Sequence, residues 1–305
     1  MVSMAVGCRS LSKVETKPSE VKTEEKVGRT AFPLKLMDDA RREVEVKEKP
    51  ERIVSLAPSN TEISFALGLG DKIVGVTDFC DYPEEAKSKE KIGGFSDPNV
   101  EKIVELKPDL VLATGMHQKI LGDLEKVNLK VFVLDPKSIG DVLGNIEVIG
   151  KLTGEEEAAE SLVTKMRKKI DDVKKKVAGL SDEKKPLVYY EVWNDPIMTA
   201  GPGTFVYDII TIAGGKNIAA DAAERYPKYS LEELVNRDPE VIIATEGSMG
   251  SPGKIKERKG WEGISAVKSG RVYVIGDENL VFRAGPRIVD GLVEVAKFIH
   301  PELFD

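Results

Sequence analysis

The chain contains few side chains that could perform catalysis or hold a bare metal ion. Its 305 residues include two histidines, His117 and His300, and two cysteines, Cys8 and Cys80. There is no HExxH motif, no cysteine pair at zinc-binding spacing, no GxSxG nucleophile motif and no complete phosphate-binding loop. We therefore expect a protein that is not an enzyme, that needs no cofactor and that carries no resident metal ion.

The two histidines occupy different sequence contexts. His300 precedes Pro301 at the end of the terminal helical segment, where a structural role is sufficient. His117 follows the apolar run LVLATGM, so it could be an axial ligand to a bound metal complex. The simpler interpretation of His117 is a solvent-exposed residue at the start of a helix. Both interpretations stay open at the level of the sequence.

Aromatic side chains make up only 6% of the chain, yet several fall in predicted loops rather than at core-facing periodic positions. Rings on loops suit a flat, partly apolar ligand, and Arg283 could meet a polar or anionic substituent of it. The pattern predicts a small-molecule binding site. The loop aromatics are Phe79, Tyr82, Phe95, Trp193, Tyr226, Tyr229 and Phe282.

Strands and helices alternate along the first half of the chain. Residues 53–57 and 73–77 read as buried strands with a helix at 61–67 between them, and Ser59 with Glu62 fits a capping box at its start. Such alternation predicts an α/β lobe with helices on a largely parallel sheet. The loops after residues 57, 77, 114 and 134 should then gather at the sheet edge where ligands bind.

The second half resumes the alternation and partly repeats the first. The segment NVEKIVELKPDLVLAT recurs 131 positions later as SLEELVNRDPEVIIAT, which aligns Glu101 with Glu232. A repeat of this length predicts two similar lobes with a cleft between them. Each glutamate suits the first turn of its helix, and the pair could also form acidic knobs that dock onto basic sockets of a partner.

A long amphipathic helix separates the two halves, over residues 153–180. Thr153 can cap its start, acidic residues fill its first turn and lysines crowd its later turns. Its length, roughly 35 to 40 Å at ~1.5 Å per residue, is enough to cross two small lobes. We therefore assign residues 32–152 to an N-terminal lobe, 153–183 to the interlobe helix and 184–305 to a C-terminal lobe. The predicted apolar stripe of this helix is Ala158, Leu162, Met166, Ile170, Val173 and Val177.

The N-terminus is typical of an exported, membrane-tethered protein. Cys8 ends the small-residue sequence Ala5-Val6-Gly7-Cys8, which is similar to the site of lipid attachment after a signal peptide. The following residues are polar and charged, so we expect residues 1–31 to form a disordered tether. No later stretch has the ~18 continuous apolar residues needed to span a bilayer. The net charge of -7 argues against a nucleic-acid partner.

Several motifs together resemble the periplasmic cobalamin-binding proteins of bacterial ABC importers, within the wider group of substrate-binding proteins for cobalamin, haem and ferric siderophores. The similarity extends from about residue 32 to the end. It implies two Rossmann-like α/β lobes joined by one rigid helix, a ligand cleft between the lobes, and delivery to a membrane permease with its ATPase. The motifs are RIVSLAPSNTE, CDYP, GGFSDPNVEKIVELKPDLVLA, YSLEELVNRDPEVIIA and FRAGPR.

The resemblance also implies roles for individual residues. By position, Tyr82 would pack on the corrin ring, Phe95 and Tyr226 would replace tryptophans of the cleft, and Arg283 would contact the ligand. Glu101 and Glu232 would be the docking glutamates, one on each lobe. This chain departs from the pattern at Asn279, which replaces an aspartate, and at Thr114, which replaces a third tryptophan. The predicted ligand-binding residues are Tyr82, Phe95, His117, Trp193, Tyr226, Asn279 and Arg283.

The sequence thus predicts a monomeric extracytoplasmic binding protein that is tethered through a lipidated Cys8 and delivers cobalamin to an ABC importer. One alternative keeps the class but changes the ligand to haem or a ferric siderophore, with a tyrosine or His117 ligating iron. A second is a two-lobed chelatase, for which His117 with Glu246 is the candidate pair. A third is a sensory or scaffold lobe that binds no small ligand, which would predict that the aromatic positions are packed shut.

Overall fold

The computed structural model describes residues 30–246 and 252–304, together with Met1. Cys8 and most of the predicted tether, residues 1–31, lie outside the described residues, so the tether and its lipidation stay predictions. None of the helices in the described part of the chain is long and apolar enough to cross a membrane.

The N-terminal lobe is a parallel sheet with helices packed on it. The first two strands form an antiparallel hairpin. The third to sixth strands along the chain form a parallel sheet, in which the spatial order is fourth, third, fifth, sixth. The strands are β1 (Leu34–Met37), β2 (Glu43–Val46), β3 (Ile53–Ser55), β4 (Ile73–Val76), β5 (Leu110–Ala113) and β6 (Val131–Val133), and the helices are α1 (Pro58–Ala66), α2 (Val100–Glu105), α3 (Gln118–Lys126) and α4 (Ile139–Thr153).

The interlobe helix α5 (Glu156–Val177) has 22 residues, about 33 Å at ~1.5 Å per residue. The prediction that Thr153 caps it is wrong, because Thr153 is the last residue of α4 and its hydroxyl donates to the Ile149 carbonyl. Gly154, in the left-handed conformation with φ 65°, ends α4 and lets the chain turn directly into α5. Helices α4 and α5 therefore form a helix pair joined at Gly154.

The buried face of α5 is slightly rotated from the predicted stripe. Met166, Ile170 and Val173 are buried as predicted, but in the first turns Ala159 and Val163 are buried while Ala158 and Leu162 are only half-buried. The reason is that α4 packs along α5 from the side of Gly150, a contact that the α5 sequence does not specify.

The C-terminal lobe repeats the architecture of the first. Its main sheet is parallel, with the strand from residue 241 between those from residues 187 and 272, and a small antiparallel sheet lies beside it. The strands are β7 (Leu187–Tyr190), β8 (Trp193–Asn194), β9 (Ile197–Met198), β10 (Lys216–Asn217), β11 (Lys228–Tyr229), β12 (Val241–Thr245) and β13 (Val272–Ile275), and the helices are α6 (Phe205–Ile212), α7 (Leu231–Arg237), α8 (Ser265–Ser269), α9 (Asn279–Phe282), α10 (Ile288–Ile299) and α11 (Pro301–Phe304).

The sequence repeat corresponds to equivalent elements in the two lobes. Helices α2 and α7 begin 131 positions apart, and so do strands β5 and β12. Each helix also begins with a side-chain cap, from Asn99 in the first lobe and Ser230 in the second. The prediction of two related α/β lobes is confirmed.

One hydrophobic cluster runs through both lobes. It includes Ile146 and Leu152 of α4, Met166 of α5, and Leu292 and Ile299 of α10. Helix α5 contacts α4 on one side and α10 on the other, so its apolar face belongs to the cores of both lobes. This shared core fixes the orientation of each lobe relative to the helix.

Candidate ligand cleft

A cavity of about 600 Å³ lies between the two lobes, which is within the usual size range of ligand sites, about 300 to 1,000 Å³. On the N-terminal side its lining follows each of the four parallel strands, because their carboxyl ends meet at one edge. On the C-terminal side it is formed by the start of α6 and by the residues after β13. The lining consists of Ala57, Pro58, Ser59, Phe79, Phe95, Ser96, Asp97, Thr114, Met116, Leu134, Asp135, Pro136, Phe205, Asn279, Phe282, Arg283 and Ala284.

His117 is buried behind the cavity lining and does not face the cleft. The ring is only 1% exposed; the Thr114 backbone N–H donates to Nδ1 at 3.0 Å, and Nε2 lies 2.8 Å from the Phe95 carbonyl oxygen. Since Nδ1 accepts a hydrogen bond, the neutral ring carries its proton on Nε2 and donates it to Phe95. Burial lowers the pKa of His117, which favours this neutral form.

These contacts contradict two predictions for His117. It is not a solvent-exposed helix start, because its ring packs edge-on against Phe95 with 5.3 Å between centroids. It also presents no free ring nitrogen for an axial ligand or for a chelatase pair with Glu246, since both nitrogens already have partners. His117 instead holds the backbone and ring of Phe95 at the cleft. No cluster of three metal-ligating side chains is present within residues 30–246 and 252–304.

Arg283 lines the cavity but is already paired across the cleft. Its Nη1 donates to Glu62 Oε1 at 2.9 Å and to Asp81 Oδ1 at 2.8 Å, and both carboxylates belong to the N-terminal lobe. Arg287, four residues later, donates to the same Glu62 at 2.7 Å and to Asp277 at 2.7 Å. We call these five residues, Glu62, Asp81, Asp277, Arg283 and Arg287, the interlobe ionic cluster.

Glu62 is the centre of this cluster, and the prediction that it caps α1 is wrong. Helix α1 begins at Pro58, whose ring fits the first helical position, and Ala57 precedes it without a side-chain cap. Glu62 therefore lies a full turn inside the helix and is only 3% exposed. Its carboxylate accepts hydrogen bonds from the guanidinium groups of both Arg283 and Arg287. A buried carboxylate needs such partners, because desolvation without them is costly.

The charges in the cluster reinforce one another. Burial lowers the pKa of Arg283, but its bonds to Asp81 and Glu62 outweigh this effect and raise the pKa above its usual value. The bond to Glu62 is the largest cause of the raised pKa of Arg287. For Asp277, burial raises the pKa, but hydrogen bonds from Asn279 and Arg287 together lower it. All three groups are therefore charged at neutral pH.

The remaining predicted ligand-binding residues are placed differently. Asn279 lines the cavity and its side-chain amide donates to Asp277 at 2.8 Å. Tyr82 is 45% exposed and lies under the Arg287 guanidinium, 3.8 Å from its ring centroid. Trp193 donates from Nε1 to the Asp195 carbonyl. Tyr82, Trp193 and Tyr226 are not part of the cavity lining in the described residues, so their contacts with a ligand stay predictions.

Among the other loop aromatics, Phe79 and Phe282 line the cavity and are exposed, as a stacking surface requires. Tyr229 does not belong to this set. It is buried in the C-terminal lobe, where its hydroxyl donates to the Ile218 carbonyl. Its loop position in the sequence concealed a core role because β11 pairs with β9 and turns the ring inward.

Glu101 and Glu232 occupy matched positions at the surface. Each is the second residue of its helix, α2 or α7, and each is exposed. The two carboxylates are therefore accessible to a partner from both lobes. Their docking role stays a prediction, since no partner is part of the structure.

Asp81, Asp277 and Arg287 were absent from the predicted site. One sequence signal could have indicated Arg287: FRAGPR contains it as a second arginine, close to Arg283 in the chain. Asp81 had no such signal, because its partner Arg283 lies on the opposite lobe. Asp277 pairs within its own lobe, with Arg287 ten positions later, and no periodic pattern marked that pair.

Two parallel-sheet lobes, a continuous helix between them and a ligand-sized cleft define a two-lobed substrate-binding protein rather than an array or a single-sheet domain. The chain belongs to the periplasmic binding protein family, whose model matches residues 53–279. It is a substrate-binding protein of the kind that serves ABC transporters, and proteins of this family act outside the cytoplasm.

Known proteins similar to this chain differ in their described ligands. The uncharacterized ABC transporter substrate-binding lipoprotein YvrC of Bacillus subtilis is 38% identical over 307 residues, covering 99% of this chain and 94% of that protein. The vitamin B12-binding protein of Vibrio cholerae is 30% identical over 253 residues, covering 82% and 89%. The crystal structure of a possible iron-binding periplasmic solute-binding protein from Staphylococcus epidermidis has a TM-score of 0.73 at 35% identity, covering 83% of this chain and 100% of that one.

Proposed function

We propose that this protein captures a corrinoid, cobalamin, and delivers it to the permease and ATPase of an ABC importer. The observation that carries the proposal is the cleft itself, in which the rings of Phe79, Phe95 and Phe282 line a cavity between the two lobes. Such rings bind a broad, flat ligand by stacking and burial of apolar area. The similarity to the vitamin B12-binding protein of Vibrio cholerae supports the same ligand.

The protein performs no chemistry on its ligand under this proposal. It works as a monomer, and Cys8 carries the lipid that tethers it to the membrane. The similarity to YvrC, which is described as a lipoprotein, supports this tether. Glu101 and Glu232 contact the permease, one from each lobe, so the transporter can sense both lobes at once.

Haem or a ferric siderophore is the second candidate ligand. Tyr82 and Tyr226 are both more than two-fifths exposed, so either phenol oxygen could serve as an iron ligand. The similarity to a protein described as possible iron-binding favours this candidate in the same way. Both candidates use the same cleft, so a direct comparison of ligands separates them.

The test is to mix the purified protein separately with cobalamin, hemin and ferrichrome, remove free ligand by desalting, and record the visible spectrum. Retained corrin absorbance in about a one-to-one ratio is the expected result. A retained Soret or ferrichrome band would show that the ligand is haem or a ferric siderophore, and the protein would still be a substrate-binding protein. If no colour were retained with any of the three, the proposal of a metal-chelate ligand would be overturned.

A further inference from the structure

The interlobe ionic cluster sets the charge that a ligand meets in the cleft. It contains two guanidiniums and three carboxylates, so it carries one negative charge in excess. Asp97 and Asp135 add two carboxylates to the cavity lining, and Lys137 pairs with the second of these. The arginine that lines the cavity is therefore surrounded by compensating charge.

An anionic substituent that bound Arg283 would lie beside the carboxylates of Glu62 and Asp81, which already accept hydrogen bonds from its Nη1. Glu62 cannot move into solvent, because it is 3% exposed and also holds Arg287 at 2.7 Å. Glu62 also keeps its bonds to Arg287, so its negative charge stays in the cluster and repels a second anion at Arg283. A site that binds a neutral ligand while opposing a charged analogue achieves selectivity through such repulsion.

We infer that this cleft selects neutral or cationic chelates against anionic ones, and that Glu62 is the positioning residue that determines this specificity, because its charge together with those of Asp81 and Asp277 exceeds that of Arg283 and Arg287. The inference rests on the proposed function, since it concerns the same cleft. It narrows the substrate class by charge: an uncharged amide-bearing corrinoid fits, whereas a chelate with free carboxylates is disfavoured.

The test uses two ligands of the same shape. Cyanocobalamin and its monocarboxylic acid, in which one propionamide is hydrolysed, differ by a single negative charge. For the full-length protein we expect the acid to bind on the order of tenfold more weakly, the effect of one unit charge roughly 10 Å away at an effective dielectric constant of about 20. Equal affinities for the two ligands would overturn the inference.

The decisive variant is Glu62→Gln, which keeps the side-chain volume and one acceptor but removes the charge. We expect the affinity ratio between amide and acid to shrink by on the order of tenfold, since the excess negative charge of the cluster is lost. A purely structural role would weaken both ligands equally and leave the ratio unchanged, which would contradict the inference. Asp81→Asn should shift the affinity ratio in the same direction. Because the Asp81 side chain is half-exposed, this substitution should not destabilise the buried core.

Glu191→Gln is the matched control. Glu191 is also a buried carboxylate, 1% exposed, and pairs with Arg258, but neither residue lines the cavity. This variant should lower stability without changing the affinity ratio. If Glu191→Gln changed the amide-to-acid affinity ratio as much as Glu62→Gln, the ratio would reflect a general loss of stability. That result would overturn the assignment of charge selectivity to Glu62.

If the wild-type protein retains no cyanocobalamin, the proposed ligand fails while the charge inference remains testable. Hemin and its dimethyl ester then replace the corrinoid pair, because the ester lacks both carboxylates. The wild-type protein should prefer the ester, and Glu62→Gln should reduce that preference. A wild-type preference for hemin itself would overturn the inference independently of the corrinoid result.

Discussion

His117 contributes to the cleft without touching it. Its Nε2–H donates to the Phe95 carbonyl, and its ring edge packs against the Phe95 ring. The aromatic side chain that faces a ligand is thereby held by a buried polar residue on the next strand's loop. A histidine beneath a binding site can therefore matter for affinity through position alone.

The protonation of His117 should make stability depend on pH. Burial lowers its pKa from the ordinary value of 6.5, so below about pH 6.5 the unfolded chain takes up a proton that the folded chain does not. The free energy of unfolding should therefore fall as the pH decreases from 7.5 to 5.5. In His117→Gln this contribution disappears, although at pH 7.5 the variant should be less stable by about 1 to 3 kcal/mol through its lost hydrogen bonds.

Urea unfolding of wild type and His117→Gln at pH 7.5 and 5.5 measures the difference. The wild type should lose more stability than the variant between the two pH values. An equal loss in both proteins would show that other groups account for the pH dependence.

Phe95→Ala should weaken ligand binding by about 1.5 to 3 kcal/mol, the free energy of burying a phenylalanine side chain. The measurement is calorimetric titration with the ligand retained in the spectral test. Phe304→Ala is the control, since Phe304 lies on α11 under Lys176 and outside the cleft lining. If both variants bound as tightly as wild type, Phe95 would not belong to the binding surface.

Helices α4 and α5 approach most closely at a glycine. A Cβ at Gly150 would lie 2.5 Å from the Ala159 Cβ and 3.2 Å from the Glu155 carbonyl oxygen. The absence of a side chain at this position lets the last turn of α4 pack directly on the first turn of α5. The close approach of α4 and α5 therefore requires a glycine at position 150.

Gly150→Ala should destabilise the protein by about 1 to 3 kcal/mol, because the added methyl group overpacks this contact. Gly144→Ala, on the same helix with no atom within 4 Å of the new Cβ, should instead be neutral or stabilise by up to about 1 kcal/mol through helix propensity. Thermal denaturation of both variants checks the prediction. Equal effects would mean that the close contact with Ala159 is not limiting.

At the scale of the whole molecule, the repeat places an exposed glutamate in the first turn of an equivalent helix in each lobe, Glu101 in α2 and Glu232 in α7. Charge reversal at both Glu101 and Glu232 should weaken association with the ABC permease by more than about tenfold while leaving ligand affinity nearly unchanged. Glu157→Lys is the matched control, since Glu157 is also the exposed second residue of its helix, α5. Binding of the variants to the permease in nanodiscs, alongside ligand titration, measures both effects. Lost ligand binding, or an equal effect of Glu157→Lys, would contradict the division of roles.

The fold was largely predictable because its signals are local. Strand and helix order, the 131-residue repeat and the matched positions of Glu101 and Glu232 all follow from periodicity and capping within short segments. The gathering of loops at one edge also follows, since parallel strands end on the same side. Local signals failed at two helix starts. Thr153 ends α4 instead of starting α5, and the Ser59–Glu62 capping box is absent because α1 already begins at Pro58.

The chemistry of the cleft was decided by the tertiary structure. Glu62 pairs with Arg283 and Arg287, which lie 221 and 225 positions later in the chain. No pattern within a short segment predicts contacts over that separation. The inward turn of the His117 and Tyr229 rings likewise depends on what packs beside them. The sequence by itself therefore determined two lobes, their connecting helix and the edge where a ligand binds, because these depend on neighbours in the chain. Only the folded chain decided which charges face the ligand, because ion pairs form between residues that are neighbours in space.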